Sequence, residues 1–193
     1  MNPFSATVRF SILEAAPSTP SGPAASLFTY DDAEPIERLL LDELNSLPEG
    51  GLLIVDFDGV RAASEAARQL LRRPLLRLFS GELKDRYLVL DHLEKCRYSV
   101  DAMLEKEELV AVARTAEGPL LRGAVEGVAA ETYAYAVAHD EVTAKMVFDH
   151  FELQGLAAAT NRLTNLARLG VIRRTGIRSL PAGGREYLYV AIQ

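Results

Sequence analysis

The stretch that decides the fold of the C-terminal part is residues 157–174, AAATNRLTNLARLGVIRR. Over residues 156–169, leucine and alanine recur every three or four positions, which predicts a helix with one buried face. Gly170 follows at once and favours the left-handed conformation in which many helices end. The apolar positions expected to face the core are Leu156, Ala159, Leu163, Leu166 and Leu169. The pattern therefore predicts a helix, a sharp stop and then a strand.

Two predicted helices precede this one, and a predicted hairpin follows it. The helices cover residues 124–138 and 143–151, and the strands cover 171–175 and 186–192. Between the strands, Pro181 and a pair of glycines are typical of a turn. Three helices followed by a glycine-rich hairpin are the element order of a winged helix-turn-helix module. We therefore expect a winged helix, an α+β fold, within residues 121–193.

The side of the third helix opposite its core face carries small and hydrogen-bonding residues. A helix in the major groove needs small residues where its backbone approaches DNA, and amides or guanidinium groups at base edges and phosphates. Arginines in the hairpin would reach neighbouring phosphates or the minor groove. The candidate DNA-binding residues are Ala158, Asn161, Arg162, Asn165, Arg168, Arg173, Arg174, Arg178 and Arg185. The alternative interpretation of this face is an ordinary solvated surface.

The same stretch resembles the recognition helix and wing entry of bacterial winged-helix regulators. Those proteins typically have Arg-Leu, two residues, Leu, two or three residues, Leu-Gly-Leu-Ile or similar, and then a basic pair. The matching residues here are Arg162-Leu163, Leu166, Leu169-Gly170-Val171-Ile172 and Arg173-Arg174. The resemblance implies the fold more strictly than it implies DNA binding, because winged helices also serve as protein-protein modules.

The charge of the chain is divided unevenly. Residues 151–193 contain six arginines and two glutamates, a net charge of +4, whereas the whole chain carries −6, which leaves −10 for residues 1–150. A basic segment joined to an acidic one is expected when only one part of a protein meets a polyanion. The distribution favours double-stranded DNA as the partner of the C-terminal part.

Predicted strands and helices alternate along the first 120 residues. The predicted strands cover residues 8–12, 52–55, 87–90 and 109–113. The first predicted helix is capped by Asp31 or Asp32 and ends near residue 47, and two further helices cover residues 65–73 and 99–107. Residues 15–25 are expected to form a loop. The apolar runs 52–55 and 87–90 are continuous, which is typical of central strands buried on both faces. The alternation predicts an α/β domain over residues 1–120.

Part of this domain resembles the STAS-like family, in which a strand ending in Asp-Phe-x-Gly-Val leads to a serine at the start of a helix. The matching residues are Val55-Asp56-Phe57-Asp58-Gly59-Val60 and Ala63-Ser64. The resemblance implies a protein partner, a histidine-kinase-type ATPase, which in related proteins phosphorylates the serine of an Asp-Ser pair. When the turn is aligned, Ser64 falls at the acidic position and Glu65 at the phosphoacceptor. This chain departs from the family pattern at that pair, but Ser64 is still the serine at the helix start and is the candidate regulatory residue; a helix N-cap is its alternative role.

No catalytic, metal or cofactor site is expected. Cys96 is the single cysteine, and the three histidines lack a metal-ligand spacing. Asp56 and Asp58 follow a buried strand as a phosphatase-like pair would, but no lysine or further acidic pair is convincingly placed, so we interpret Asp58-Gly59 as a turn. Apolar runs are far shorter than the roughly 20 residues of a membrane helix, and no secretory signal pattern begins the chain. We therefore expect a cytoplasmic, non-enzymatic protein without membrane contact.

Two functional hypotheses follow. The first is a transcription regulator in which the winged helix binds DNA, as a homodimer in many such proteins, while the STAS-like domain binds a partner or senses a signal. The alternative is a partner-switching adaptor in which neither domain binds nucleic acid, which the overall acidity favours.

Overall fold

The structure is a computed structural model that describes residues 4–16, 25–27, 29–179 and 184–193. Its strands are β1 (Thr7–Ser11), β2 (Ala25–Leu27), β3 (Leu52–Asp56), β4 (Val60–Ala62), β5 (Tyr87–Asp91), β6 (Val110–Thr115), β7 (Gly118–Gly123), β8 (Ile172–Ser179) and β9 (Arg185–Ala191). Its helices are α1 (Ile12–Ala15), α2 (Tyr30–Ser46), α3 (Ser64–Phe79), α4 (Arg97–Lys106), α5 (Gly127–Val137), α6 (Ala144–His150) and α7 (Leu156–Arg168).

A five-stranded sheet organises the first part of the chain. Its strand order is β1-β3-β5-β6-β7, in which the first four strands are parallel and β7 is antiparallel to β6. The strands β2 and β4 form a separate two-stranded parallel ribbon, and β8 pairs with β9 as an antiparallel hairpin. The fold is mixed α/β, as predicted.

The continuous apolar runs occupy central strands whose two faces pack on different elements. Leu53 and Val55 of β3 belong to the core shared with α2, α3 and α4. Leu52 and Ile54 belong to a second core shared with α5, α6, α7 and the β8–β9 hairpin, which we call the C-terminal unit (residues 127–193). Each such side chain, once fully buried, contributes about 1.5–3 kcal/mol, so the C-terminal unit stabilises the sheet on which it lies.

The boundary predicted after residue 120 falls inside β7, a strand that the sequence analysis did not predict. Because β7 pairs with β6 and α5 follows it after a short connection, the sheet and the C-terminal unit are joined both by packing and by this strand. The division into two domains stays a prediction.

Three local predictions were wrong. The helix predicted to end before Pro74 continues to Phe79. Pro74 lacks the N–H that a helix interior normally uses, but its side chain is buried, and this burial offsets the missing hydrogen bond. The N-cap of α3 is Ala63 without a side-chain hydrogen bond, so Ser64 is the first helical residue rather than the cap. The cap of α2 is Thr29, whose hydroxyl accepts from the Asp32 N–H while the Asp32 carboxylate accepts from the Thr29 N–H.

Other predictions are confirmed or lie outside the description. The strands β1, β3, β5 and β6 and the helices α4 to α7 lie within a few residues of their predicted positions, although Ile12 opens α1 instead of ending β1. Of the expected loop 15–25, residues 17–24 lie outside the described residues, as does Pro181 in the predicted turn. No helix in the described part of the chain has the length and apolar character needed to cross a membrane.

Candidate nucleic-acid interface

The helix α7 presents two distinct faces. Ala159, Leu163 and Leu166 are completely buried in the core of the C-terminal unit. The predicted polar face is exposed, and it consists of Ala158, Asn161, Asn165 and Arg168. Leu156, expected in the core, is 52% exposed because it is the first residue of the helix and lies beyond the packed turn. Gly170 ends the helix with φ +70°, as predicted.

Two side chains of the exposed face are fixed to each other. The Arg168 guanidinium donates from Nη2 to the Asn165 side-chain oxygen at 3.1 Å, one turn earlier on α7. The bond orients the amide and the guanidinium toward the same side of the helix. The face therefore offers amide and guanidinium donors together with the small side chain of Ala158.

The β8–β9 hairpin carries three exposed arginines. The Arg174 guanidinium lies 4.5 Å from the centroid of the Tyr187 ring, in a cation-π contact. Arg178 forms an ion pair with Glu186, in which Nη2 lies 2.8 Å from Oε2. Arg185 is exposed at the start of β9. A register shift between Arg174 and Gly176 is a bulge that increases the local twist of the hairpin.

Glu186 fastens the hairpin to the start of α6. Its side chain is 9% exposed, and its carboxylate accepts hydrogen bonds from the Thr143 hydroxyl, the Arg178 guanidinium and the Lys145 main-chain N–H. Burial is the largest single influence and favours the neutral acid, but these donors together outweigh it and hold the pKa of Glu186 below its ordinary value of 4.5. Sequence reasoning missed this residue, because an acidic side chain within a basic hairpin gave no signal of its own.

Two predicted DNA-binding arginines are used inside the protein. Arg173 is half-buried, and its Nη1 lies 3.5 Å from the carbonyl oxygen of Gly50, in the turn before β3. Arg162 lies 4.8 Å from the centroid of the Phe151 ring and donates to the Thr132 hydroxyl at 3.5 Å. The first arginine therefore joins the C-terminal unit to the sheet, and the second joins α7 to α5 and the end of α6.

A groove separates the starts of α6 and α7 from the hairpin. Its volume is about 760 Å³. Its walls include the apolar side chains of Met146, Leu156 and Tyr187, and its basic residues are Lys145, Arg178 and Arg185. Lys145, which was not among the residues predicted from the sequence, lies in the first turn of α6 after the Thr143 cap and forms an ion pair with Asp149 at 2.5 Å.

No family model, curated protein or solved structure matches the chain. The chemistry of the exposed residues therefore carries the functional argument.

Ser64 and Glu65, the residues selected by the resemblance to the STAS-like family, lie at the start of α3. Ser64 is exposed at the first position of α3, and its hydroxyl has no hydrogen-bond partner among the described residues. Glu65, at the aligned phosphoacceptor position, is also exposed.

A charged cluster lies nearby, where β3 and β5 end. Asp56 accepts from Arg9 at 2.5 Å and from His92 Nδ1 at 2.8 Å, and Arg9 also donates to Asp91 at 2.8 Å. Burial favours the neutral form of Asp56, but hydrogen bonds from His92, from the Asp58 N–H and from Arg9 outweigh it and lower the pKa of Asp56. The hydrogen bond to Asp56 raises the pKa of His92. Within the described ranges, no group of three or more histidine, cysteine or acidic side chains is arranged to hold a metal ion.

Proposed function

We propose that the protein is a DNA-binding regulator in which the C-terminal unit is a winged helix that contacts double-stranded DNA through α7 and the β8–β9 hairpin. The observation that carries the proposal is the orientation of α7. Its buried side faces the core that the C-terminal unit shares with the sheet, and its Asn and Arg side faces outward. The surface that remains open is the one whose residue types suit a DNA groove.

Charge supports the same surface. Four arginines are exposed on α7 and the hairpin, namely Arg168, Arg174, Arg178 and Arg185. Lys145, which forms an ion pair with Asp149, lies beside the groove. Arginine and lysine contacts to phosphates supply most of the sequence-independent affinity for DNA. Glu186 lowers the net charge of the hairpin by one, but its ion pair with Arg178 holds that guanidinium in a fixed position.

The proposed contact set is smaller than the set selected from the sequence. Arg173 and Arg162 belong to internal contacts, and we assign them no DNA contact. The remaining set is Ala158, Asn161, Asn165, Arg168, Arg174, Arg178 and Arg185. Homodimerisation on a two-fold symmetric site is consistent with this arrangement.

For the first part of the chain, we propose a STAS-like domain that binds a protein partner, with Ser64 as its regulatory residue and a histidine-kinase-type ATPase as the candidate partner. The support is the exposed Ser64 hydroxyl, which no capping role occupies. Incubation with such a kinase and ATP, followed by mass spectrometry of wild type and Ser64→Ala, tests this assignment. Phosphate incorporated equally into both would contradict it.

The DNA proposal is tested by fluorescence anisotropy with a short mixed-sequence duplex at several salt concentrations. Each neutralised phosphate contributes about 0.9 to the slope of log affinity against log salt, so four arginines predict a slope of about −3 to −4. We expect Arg168→Ala to weaken binding about tenfold. Arg61→Ala is the matched control, since Arg61 is exposed on β4. Absence of binding at low salt would overturn the proposal and favour the adaptor hypothesis.

A further inference from the structure

A cavity of about 260 Å³ lies between the sheet and the C-terminal end of α7. One wall is the end of α3 and the loop that leads to β5, the second is the amino-terminal end of β5 with residues 110–112 of β6, and the third is residues 167–171. Three segments distant in sequence therefore enclose one space. That space lies where the sheet meets the helix that carries the proposed DNA-binding face.

The inner walls of this cavity include apolar side chains and one tyrosine. Leu75, Leu83, Val112 and Val171 are each at most 5% exposed. Tyr87 also lines the cavity and is 5% exposed, yet its hydroxyl forms no hydrogen bond with any described residue. The hydroxyl is not one of the fully buried side-chain atoms that lack a partner, so it is accessible from the cavity. The cavity therefore offers a donor that no described residue uses, next to apolar side chains.

The rim of the cavity is basic. Its charged residues are Lys84, Asp85, Arg86 and Arg168, a net charge of +2. Arg86 donates to the Leu47 carbonyl at 2.7 Å and Arg168 to Asn165, whereas Lys84 is exposed and has no ion-pair or hydrogen-bond partner in the described part of the chain. Charge complementarity therefore favours an anion, and the apolar side chains of the inner walls favour an anion with a hydrophobic body.

We propose that this cavity is an effector site for a small amphipathic carboxylate, whose acid group meets Lys84 and the Tyr87 hydroxyl and whose apolar body lies between β6 and the end of α7. The volume lies just below the range of about 300–1000 Å³ for drug-sized ligands, which limits the occupant to a small molecule. Burial raises the pKa of Tyr87 to about 12, so the hydroxyl stays a donor at neutral pH.

The effector would act on DNA binding through α7, and this regulatory half rests on the proposed function. Ala167 lines the cavity, and its neighbour Arg168 belongs to the proposed DNA-binding face. A ligand in the cavity therefore contacts the last turn of α7, and we expect it to change the affinity for DNA through Arg168. Reciprocal coupling follows, since a ligand that alters the affinity for DNA must have its own affinity altered by DNA to the same extent.

Benzoate is the test probe and benzyl alcohol its neutral counterpart, each titrated by calorimetry and by amide NMR into the full chain without DNA. We expect saturable benzoate binding with shifts at residues 167–171, and at least about tenfold weaker binding of benzyl alcohol, because a charge-assisted hydrogen bond is lost. Lys84→Ala and Tyr87→Phe should each weaken benzoate about tenfold, whereas Lys95→Ala, an exposed lysine outside the cavity, should not. Ala167→Leu fills the cavity and should abolish binding.

The possible results separate the site from the proposed function. No saturable shift at concentrations that would fill a site with a millimolar Kd overturns the site, and equal binding of benzyl alcohol overturns its preference for an anion. Benzoate binding that leaves the affinity for DNA unchanged overturns the regulatory half. Benzoate binding by a protein that binds no DNA supports the site and removes the proposed function.

Discussion

The guanidinium of Arg173 lies against the main chain of Gly50, although the two residues are 123 positions apart in the sequence. Gly50 precedes β3 and has φ +77°, and a Cβ built on it would lie 2.8 Å from Arg173 Nη2. The Gly50 N–H also donates to the carbonyl of Asp85 at 2.5 Å. The sheet and the C-terminal unit therefore meet at a glycine that is required both for its conformation and for its lack of a side chain.

Gly50→Ala should destabilise the protein more than Gly81→Ala. Both glycines have φ +77°, but a Cβ at Gly81 would meet no atom within 4 Å. The left-handed conformation costs an L-residue about 1–2 kcal/mol in either variant. Gly50→Ala should cost a further ~0.5–1 kcal/mol, because the new methyl group displaces Arg173 from its hydrogen bond. Urea unfolding of both variants measures the difference.

A double-mutant cycle isolates the contact. In an Arg173→Ala background, Gly50→Ala should cost no more than Gly81→Ala, since the guanidinium that the methyl group displaces is gone. If Gly50→Ala still lowers stability more than Gly81→Ala in this background, another neighbour of Gly50 causes the difference.

Arg173→Ala and Arg174→Ala should affect different properties, although the residues are adjacent. Arg174 is exposed on the hairpin, so its replacement should lower the salt slope of DNA binding by about 0.9 and leave the free energy of unfolding nearly unchanged. Arg173→Ala should lower stability and leave the slope unchanged. DNA titrations at several salt concentrations and urea unfolding measure both quantities. A smaller salt slope of DNA binding in Arg173→Ala would show that Arg173 contacts DNA.

The sequence predicted those parts of the fold that local pattern determines. The continuous run at 52–55 predicted a strand buried on both faces, and the spacing around Leu163 predicted the buried side of α7. Gly170 predicted the helix end because few other residues adopt φ +70° without strain.

The sequence could not predict which element packs on each surface. The apolar run at 52–55 does not indicate that its second face packs on the C-terminal unit. The adjacent pair Arg173-Arg174 does not indicate which of the two arginines faces inward. The helix α3 continues past Pro74 because burial of its apolar side offsets the missing hydrogen bond, and such tertiary stabilisation leaves no local signal. The strand β7 contains two glycines and a proline, a composition that indicates a turn.

Asp56→Asn should lower the pKa of His92 toward its ordinary value of 6.5. The hydrogen bond to Asp56 is the largest influence that raises it, while Asp58 contributes only through a longer-range charge interaction. Asp58→Asn is therefore the matched control and should lower the pKa less. NMR titration of the imidazole signals measures both variants. An unchanged pKa in Asp56→Asn would show that the pair does not form in solution.

The sign of the matching stability change follows from linkage. The pKa of His92 is raised in the folded state, so the contact stabilises the fold fully below pH 6.5 and is lost as pH rises through the folded pKa. Wild type and Asp56→Asn should therefore differ more in stability at pH 6 than at pH 9. The difference is small, because the His92 side chain is half-exposed.

Glu186→Ala should loosen the hairpin from α6 and lower the free energy of unfolding by about 1–3 kcal/mol, because the buried hydroxyl of Thr143 loses its acceptor. Glu186→Gln should cost less, since its amide oxygen still accepts one hydrogen bond while the ion pair with Arg178 is lost.

The pKa of Glu186 is lowered in the folded state, so its stabilising contribution is present above pH 4.5 and is lost as pH falls through the folded pKa. Urea unfolding from pH 7 to pH 3 should therefore show the gap between wild type and Glu186→Gln closing toward acid. Glu105→Gln, on the exposed side of α4, controls for the loss of one surface carboxylate, and a gap that stays constant with pH would show that shape rather than charge fixes Glu186 in place.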